Sequence, residues 1–495
     1  MNRYILSIDQ GTSGTKALLF DDRGRFVRRC NAVHRQFYPH SGWVEQDAEE
    51  IFQNTVSAID ILISESGVDP SKIAAVSITN QRETAVVWNK HTGKPVANAV
   101  VWQCSRGTEI CGFLAKQGYG DFIRKQSGLV LSPYYSASKV KWLLDNIDGA
   151  RDAAVNGDLL MGTMDSWLIY NLTGKSVHAT DVSNASRTQL MDIENLCWDS
   201  ELLDIFSIPL CMMPEIHPSD YMFGILKVSC LAQFKIPITG VLGDSHAALF
   251  GQNCFNRGMA KVTYGTGSSI MMNIGGTPYF SEKGLVTSVG WGRGGETVYV
   301  AEGNINCSAD TIKWMAEDLE LISNAECSEA IAQSVADTGG VYLVPAFVGL
   351  GTPYWDSEAT ALITGMTRGT KKAHVVRAAC ESIGYQVKDV LDIMTAEAGV
   401  SLQEIRVDGG ASRNSFIMQF QSDILGVNVA VNRVEEICAL GAAYMAGVAI
   451  GLWAFKELGE LRTKDTYFKP RMDTDLRRQL YEGWQKAVRR TLQKV

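Results

Sequence analysis

The 495-residue chain carries no run of lysine and arginine long enough to track a nucleic-acid backbone, and its 46 basic and 54 acidic residues leave a formal charge of −8. Nucleic acid is therefore not expected as a partner. No apolar stretch reaches the roughly eighteen residues of a membrane helix, and Met1-Asn2-Arg3 leads directly into a strand-like run without the apolar core of a signal peptide. These absences predict a soluble, cytoplasmic protein with no membrane insertion. Eleven cysteines, an odd number, show no CxxC pair and no repeating spacing, which argues against a disulfide framework and against a zinc site. They read as reduced core thiols. A phosphate loop of the GxxxxGK[ST] type is missing as well. Gly290 to Gly295 does contain GxGxxG, but strand-like Thr297 to Val300 follows it rather than a helix, so it reads as a hairpin tip. A nucleotide site in this chain must be built some other way.

What is present is an ordinary globular composition in a chain longer than one core usually covers, which predicts two large domains. The stretch Val241 to Asn273 sits at the midpoint and holds two candidates for chemistry. Asp244 follows a small apolar run and a glycine, the place where a strand ends and a turn presents a carboxylate to a cleft. Tyr264-Gly265-Thr266-Gly267-Ser268-Ser269 lies between two strand-like runs, so its N–H groups and hydroxyls could wrap an anion. Each feature alone is also compatible with a plain turn.

An echo near the N-terminus strengthens the pair. Ile5 to Asp9 reads as a strand, Gln10-Gly11-Thr12-Ser13-Gly14-Thr15 as a tight turn, and Lys16 to Asp21 as the return strand. Superposing Gly11-Thr12 on Gly265-Thr266, 254 residues apart, also superposes the flanking strands. The economical interpretation is a duplicated strand-turn-strand unit whose two tips face one cleft; the alternative is two coincidental Gly-Thr hairpins. Asp47 and Glu50 then form a capping-box-like start to a helix through Ile51, Phe52, Val56, Ile59, Leu62 and Ile63. Ile73 to Thr79 is a buried-strand run ending at Asn80-Gln81-Arg82-Glu83, which is either a polar strand end of the kind where α/β proteins keep their sites or an exposed turn with a solvated Arg-Glu pair. Trp102 is either core packing or a wall for a carbon chain. Tyr134-Tyr135 precedes a helix from Ser138 to Asn146, and Asp408-Gly409-Gly410-Ala411 sits at a strand-to-helix turn where backbone can approach a base or a phosphate. His374 to Glu397 is a long amphipathic helix, and Leu476, Leu480, Trp484 and Val488 mark a closing one.

These segments carry a likeness that covers nearly the whole chain. "DQGTSGTKALLFD", "ITNQRET", "VWQC", "YYSASKVKWLLDN", "YGTG", "VPAFVGLGTPYWD", "ALITGMTRGTKKAHVVRAACE", "RVDGGASRN" and "FQSDILG" resemble the FGGY carbohydrate kinases, and within them the glycerol kinases. The resemblance implies an α/β fold of two actin-like (ribonuclease-H-like) domains, residues 1–246 for the polyol and 247–495 for ATP, with an interdomain catalytic cleft. It implies transfer of the γ-phosphoryl group of ATP, with Mg²⁺, to a primary hydroxyl of a small polyol. Carried over by position, Asp244 is the general base, and Asp9 with Asp244 holds the metal. Thr12, Ser13, Lys16, Thr266, Gly267, Ala309, Gly410 and Asn414 bind ATP. Arg82, Glu83, Trp102, Tyr134 and Asp244 form the polyol site together with Ser245 and Ser269. A homodimer or homotetramer is expected.

Two positions depart from the pattern. Glycerol kinases usually have Gln after the catalytic Asp and a Phe two residues beyond YGTG, where this chain has Ser245 and Ser269. Burying a Phe is worth about 1.5 to 3 kcal/mol. Its loss leaves room, and two hydroxyls, for a four- or five-carbon polyol; the alternative is drift compensated by neighbours such as His246. The stretch "GILKVSCLAQFKIP" lacks the glycines of an allosteric sugar-bisphosphate loop. A ketose kinase of the same family and a non-catalytic actin-like ATP switch remain the rival interpretations.

Overall fold

In a computed structural model, residues 3–432, 434, 436–461 and 465–492 are described; Met1 and Asn2 of the N-terminal stretch lie outside them. β1 (Tyr4–Gln10) and β2 (Gly14–Asp21) form the expected antiparallel hairpin, closed by Gly11 N–H donating to the Gly14 carbonyl at 2.9 Å. Ile5, Leu6 and Ile8 have no exposed surface, as a central strand covered on both faces requires. β3 (Phe26–Val33) pairs with β2, α1 (Ala48–Ser66) crosses over, and β4 (Ile73–Asn80) returns parallel to β1. Asp47 caps α1 by accepting from the N–H groups of Glu49 and Glu50, but the Glu50 carboxylate turns to Arg35 at 2.8 Å. The reciprocal half of the predicted capping box is therefore not made, because the backbone N–H and guanidinium of Arg35 take one Glu50 oxygen each. After α2 (Ser136–Asn146), β5 (Gly224–Ile225) and β6 (Pro237–Gly243) complete a sheet in the order β5-β6-β4-β1-β2-β3.

α3 (Asp244–Gly251) leads to β7 (Met259–Tyr264), β8 (Ser268–Gly275), β9 (Val286–Arg293), β10 (Glu296–Ile305), β11 (Glu404–Gly409), β12 (Asn428–Val431) and β13 (Thr466–Phe468). Their order is β9-β10-β8-β7-β11-β12-β13. The two sheets repeat one another. In the first, β6, β4 and β1 are parallel, then β2 and β3 run antiparallel, with β5 antiparallel at the far edge. In the second, β12, β11 and β7 are parallel, then β8 and β10 run antiparallel, with β13 antiparallel at the far edge and β9 added. The hairpin β7-β8, closed by Gly265 N–H on the Gly267 carbonyl at 2.8 Å, takes the place of β1-β2. Duplication is thus visible in topology. Gly290 and Gly292 lie within β9, and Gly294-Gly295 make the turn into β10, as the sequence predicts for a hairpin tip.

The helices α4 (Lys372–Ala398), α5 (Ser415–Leu425), α6 (Ile437–Ala449) and α7 (Thr474–Leu492) pack around the second half, with one exception. α6 lies on α3 and across the first sheet: a Cβ at Gly441 would stand 1.8 Å from the Ala247 carbonyl oxygen, and one at Gly240 2.5 Å from the Ala446 nitrogen. The first sheet ends at Gly243 and the second begins at Met259, yet a helix of the C-terminal half belongs to the N-terminal core. α7 buries only its second half through Trp484, Ala487 and Val488, and Leu476 is exposed. All eleven cysteines are free, and no described helix is long and apolar enough to cross a membrane.

Candidate functional site

The buried run Val241-Leu242 brings β6 to its end at Gly243, and α3 starts at Asp244, so the carboxylate stands at a strand-to-helix junction rather than in an isolated turn. A Cβ at Gly243 would lie 2.7 Å from Arg82 Cγ. Glycine there lets the Arg82 stem lie over the strand end. Arg82 Nε donates to Asp244 Oδ1 at 2.9 Å, and the Ser245 N–H donates to the same oxygen at 2.6 Å. The Asp244 side chain keeps 39% of its surface exposed, and no described residue donates to Oδ2. One oxygen is fixed and the other faces open space.

Arg82 goes on to bind Glu302 through both terminal nitrogens at 3.1 to 3.3 Å, and its Nη2 donates to Ser245 Oγ at 3.2 Å. Arg187 Nε donates to Glu83 at 2.6 Å, and its Nη1 pairs with Glu302 at 2.9 Å. All four of these side chains are buried, so the two guanidiniums and two carboxylates neutralise each other out of water. Burial alone would raise the Glu302 carboxyl, but Arg187 and Arg82 hold it well below the usual carboxylate range. Glu302 sits on β10, so this cluster ties the second sheet to the end of β4. The predicted Arg82 is thus brought to Asp244, and Glu83 joins it through Arg187 and Glu302 in one buried ion cluster. Arg187 and Glu302 lie outside the site residues that the sequence singles out; the single carboxylate, Glu302, in the apolar run 298–305 is the signal that points to one of them.

Trp102 Nε1 donates to Thr12 Oγ1 at 2.9 Å, and its ring meets Tyr134 edge-on at a centroid distance of 5.5 Å. The Tyr134 loop is held from below by Lys139, whose ammonium donates to the carbonyls of Pro133, Tyr134 and Tyr135. Burial pulls Lys139 down to about 7. Ser136 Oγ donates to the Glu83 carbonyl at 3.0 Å and pins a residue whose φ of 61° is unfavourable for a side chain.

Across from Asp244, a cavity of about 930 Å³ continues along the second sheet past Lys261, Thr263, Ser269, Asp408 and Gly410. Strand register aligns Asp408 with Thr263, Thr263 with Ser269, and Ser269 with Asn304, one polar row across four strands. Gly409 turns at φ 91°, where a Cβ would lie 2.3 Å from the Tyr264 carbonyl oxygen. The wall then runs through Gly410, Ser412, Arg413 and Ser415, while Asn414 caps α5 and donates to Ser328 behind it. Thr12, Ser13, Thr266, Gly267 and Ala309 lie outside this wall. Ser308 N–H on the Thr266 carbonyl at 2.7 Å and Ala309 N–H on Gly265 at 3.2 Å fasten the second tip to the helix beginning at Asp310. Lys16 places its ammonium 2.7 Å from Glu436 at the cavity edge.

Asp9, at the end of β1, receives no hydrogen bond at its carboxylate from any described residue. Burial, opposed by Lys16 and reinforced by Asp244 and Glu436, pushes it up to about 7. A divalent cation suits that setting, since it removes the cost of both burial and repulsion. No cluster of three potential ligands exists among the described residues, so one or two carboxylates plus a ligand's phosphates are what the chain can offer. His246 is buried, pairs through Nε2 with Ser288 Oγ at 3.0 Å, and is held neutral by burial and by Arg82 and Arg187. It is a packing residue.

Two family models match the chain, the FGGY family of carbohydrate kinases N-terminal domain over residues 4–251 and its C-terminal domain over residues 260–450. The chain is 52% identical over 492 residues to glycerol kinase 1 of Thermotoga maritima, covering 99% of each. It is 48% identical over 490 residues to glycerol kinase of Bacillus subtilis, again covering 99% of each. Among solved structures, it is similar to Plasmodium falciparum glycerol kinase with ADP at a TM-score of 0.95 and 36% identity, over 100% of this chain and 99% of that one. A xylulose kinase from Lactobacillus acidophilus shares the fold at a TM-score of 0.87 and 21% identity, over 98% of this chain and 97% of that one.

Proposed function

The chain belongs to the FGGY family of carbohydrate kinases, and from that premise we propose that Asp244 is the base of its phosphoryl transfer. The protein is an ATP-dependent phosphotransferase with the alcohol group of a small polyol as acceptor. The observation that carries the assignment of Asp244 is its half-fixed carboxylate on the cavity wall: Arg82 and the Ser245 N–H hold Oδ1, and no described residue donates to Oδ2. Oδ2 takes the proton of the primary hydroxyl as its oxygen attacks phosphorus. Phosphoryl transfer asks mainly for positioning and charge neutralisation, and the buried Arg82–Glu302 contact keeps Asp244 from turning away.

Trp102 and Tyr134 lie along the carbon chain of the acceptor, with Glu83 at its hydroxyls and Arg82, whose N–H groups go to Asp244, Ser245 and Glu302, holding the acceptor's side of the cleft in shape. Thr12 and Ser13 at one hairpin tip and Thr266 and Gly267 at the other line the path of the phosphates, with Ala309 behind the second tip. Gly410 gives the adenosine a surface without a side chain, and Asn414 shapes the turn that carries it. Lys16, paired with Glu436, sits where it reaches the phosphates by exchanging partners. Asp9 and Asp244 would hold Mg²⁺, which when bound neutralises charge on the transferring phosphoryl group. Lys139 positions Tyr134. A homodimer or homotetramer is the expected assembly, which light scattering checks.

The test is an ADP-release assay with MgATP and a panel of small polyols. Turnover should depend on acceptor, and Asp244→Asn should lower kcat about 10²- to 10⁴-fold, the usual worth of a general base. Nucleotide hydrolysis that no acceptor stimulates would contradict the assignment.

A further inference from the structure

Within that kinase reading, on which this inference rests, one polar atom of the cavity has no role. Ser269 lines the cavity, yet its Oγ is out of reach of solvent and has no hydrogen-bond partner. A buried hydroxyl left unpaired is costly unless a ligand completes it. Directly opposite on β10 stands Asn304, an exposed residue whose side-chain amide likewise has no described partner. Both side chains project from the face of the second sheet that carries Glu302, two residues before Asn304. Since Glu302 is bound to Arg82, and Arg82 to Asp244 and Ser245 Oγ, this face looks onto the acceptor's end of the cavity.

We propose that Ser269, Asn304 and Ser245 form an extended acceptor subsite that seats the non-reacting end of a neutral, acyclic polyol of four or five carbons. The chemistry selects the class. Glu302 is neutralised by Arg82 and Arg187, and the Arg82 guanidinium is already saturated by Asp244, Ser245 and Glu302, so the cluster has no free cation to hold a phosphate at the subsite. A hydroxyl and an amide each donate and accept, which matches CHOH groups. Ser269 and Asn304 stand one row, about 6.6 Å, along the strands from Glu302, and a longer acceptor held by Asp244 at its reacting end has further CHOH groups to place against that row. Rotation of the serine about χ1, among its three staggered positions, carries Oγ from the wall to the ligand.

The experiment is steady-state phosphorylation with MgATP of glycerol, erythritol, threitol, ribitol and xylitol by the full chain and by Ser269→Ala, Asn304→Ala and Ser269→Phe, with thermal melting as the control for folding. A four- or five-carbon polyol should exceed glycerol in kcat/KM by tenfold or more. Each alanine variant should raise KM for that polyol about two- to tenfold more than for glycerol, leave KM for ATP in place, and melt within a few degrees of the parent. Ser269→Phe should shift preference toward glycerol. Glycerol leading the parent panel, or alanine variants that depress all acceptors alike, would overturn the extended subsite and leave the kinase reading intact. No acceptor-dependent turnover at all would overturn the kinase reading itself.

Discussion

Asp9 lies close enough to Asp244 to feel its charge, and Asp9 sets a pH dependence. Asp9 is raised from 3.8 to about 7 in the folded protein, chiefly by burial. Its contribution to folding is therefore present below about pH 4 and lost as pH rises through about 7. Without metal, Asp9→Asn should raise the melting temperature at pH 8 and change it little at pH 4. With metal the sign reverses, because only the carboxylate binds. The Mg²⁺ concentration giving half-maximal rate should climb about tenfold for each pH unit below about 7, and a flat Mg²⁺ requirement between pH 5.5 and 8 would remove Asp9 from the metal site. Arg187 acts differently. Its guanidinium touches Glu83 and Glu302 and is 2% exposed, so Arg187→Ala leaves two buried carboxylates short of a partner. Removing one member of a buried pair costs about 3 to 5 kcal/mol. The denaturant midpoint of the variant should fall accordingly.

At the scale of elements, the helix pair α3 and α6 holds Asp244, the proposed base, in place from behind. Gly441 allows α6 to touch the Ala247 carbonyl, and Gly251 allows the reverse approach to Ile437. Gly441→Ala forces the helices apart, and overpacking of this kind costs about 1 to 3 kcal/mol. Because α3 begins with Asp244, the change should lower kcat as well as stability; a variant less stable but fully active would mean that Asp244 is held by Arg82 alone. The same elements show what could be read from the sequence. The two Gly-Thr hairpins, the strand ending at Asn80 and the Asp408-Gly409-Gly410 turn were legible because each is local, with turn residues bounding apolar runs. The Arg187–Glu302 pair joins residues 115 positions apart, and α6 packs on strands more than 190 residues upstream. No periodicity encodes such contacts. The Asp47 cap shows the limit even locally, since Glu50 had a choice between a backbone N–H and Arg35 that only the fold decides.

For the whole molecule, the repeated sheet explains why a chain without a P-loop can hold a nucleotide. Two hairpins in equivalent places give two phosphate-sized tips, and the cluster of Arg82, Arg187, Glu83 and Glu302 couples the halves that bear them. Asp244 stands at the seam, and of the proposed acceptor site Trp102 and Tyr134 belong to one half while Ser269 and Asn304 belong to the other. A site assembled in this way requires both halves. The most direct measurement is transfer of label from [γ-³²P]ATP to a small polyol, followed alongside nucleotide binding in the parent and in Asp244→Asn. Label should appear as a polyol phosphomonoester with the parent, and fall at least a hundredfold in the variant while nucleotide binding persists. An Asp244→Asn protein that transfers label at the parental rate would show that the base lies elsewhere.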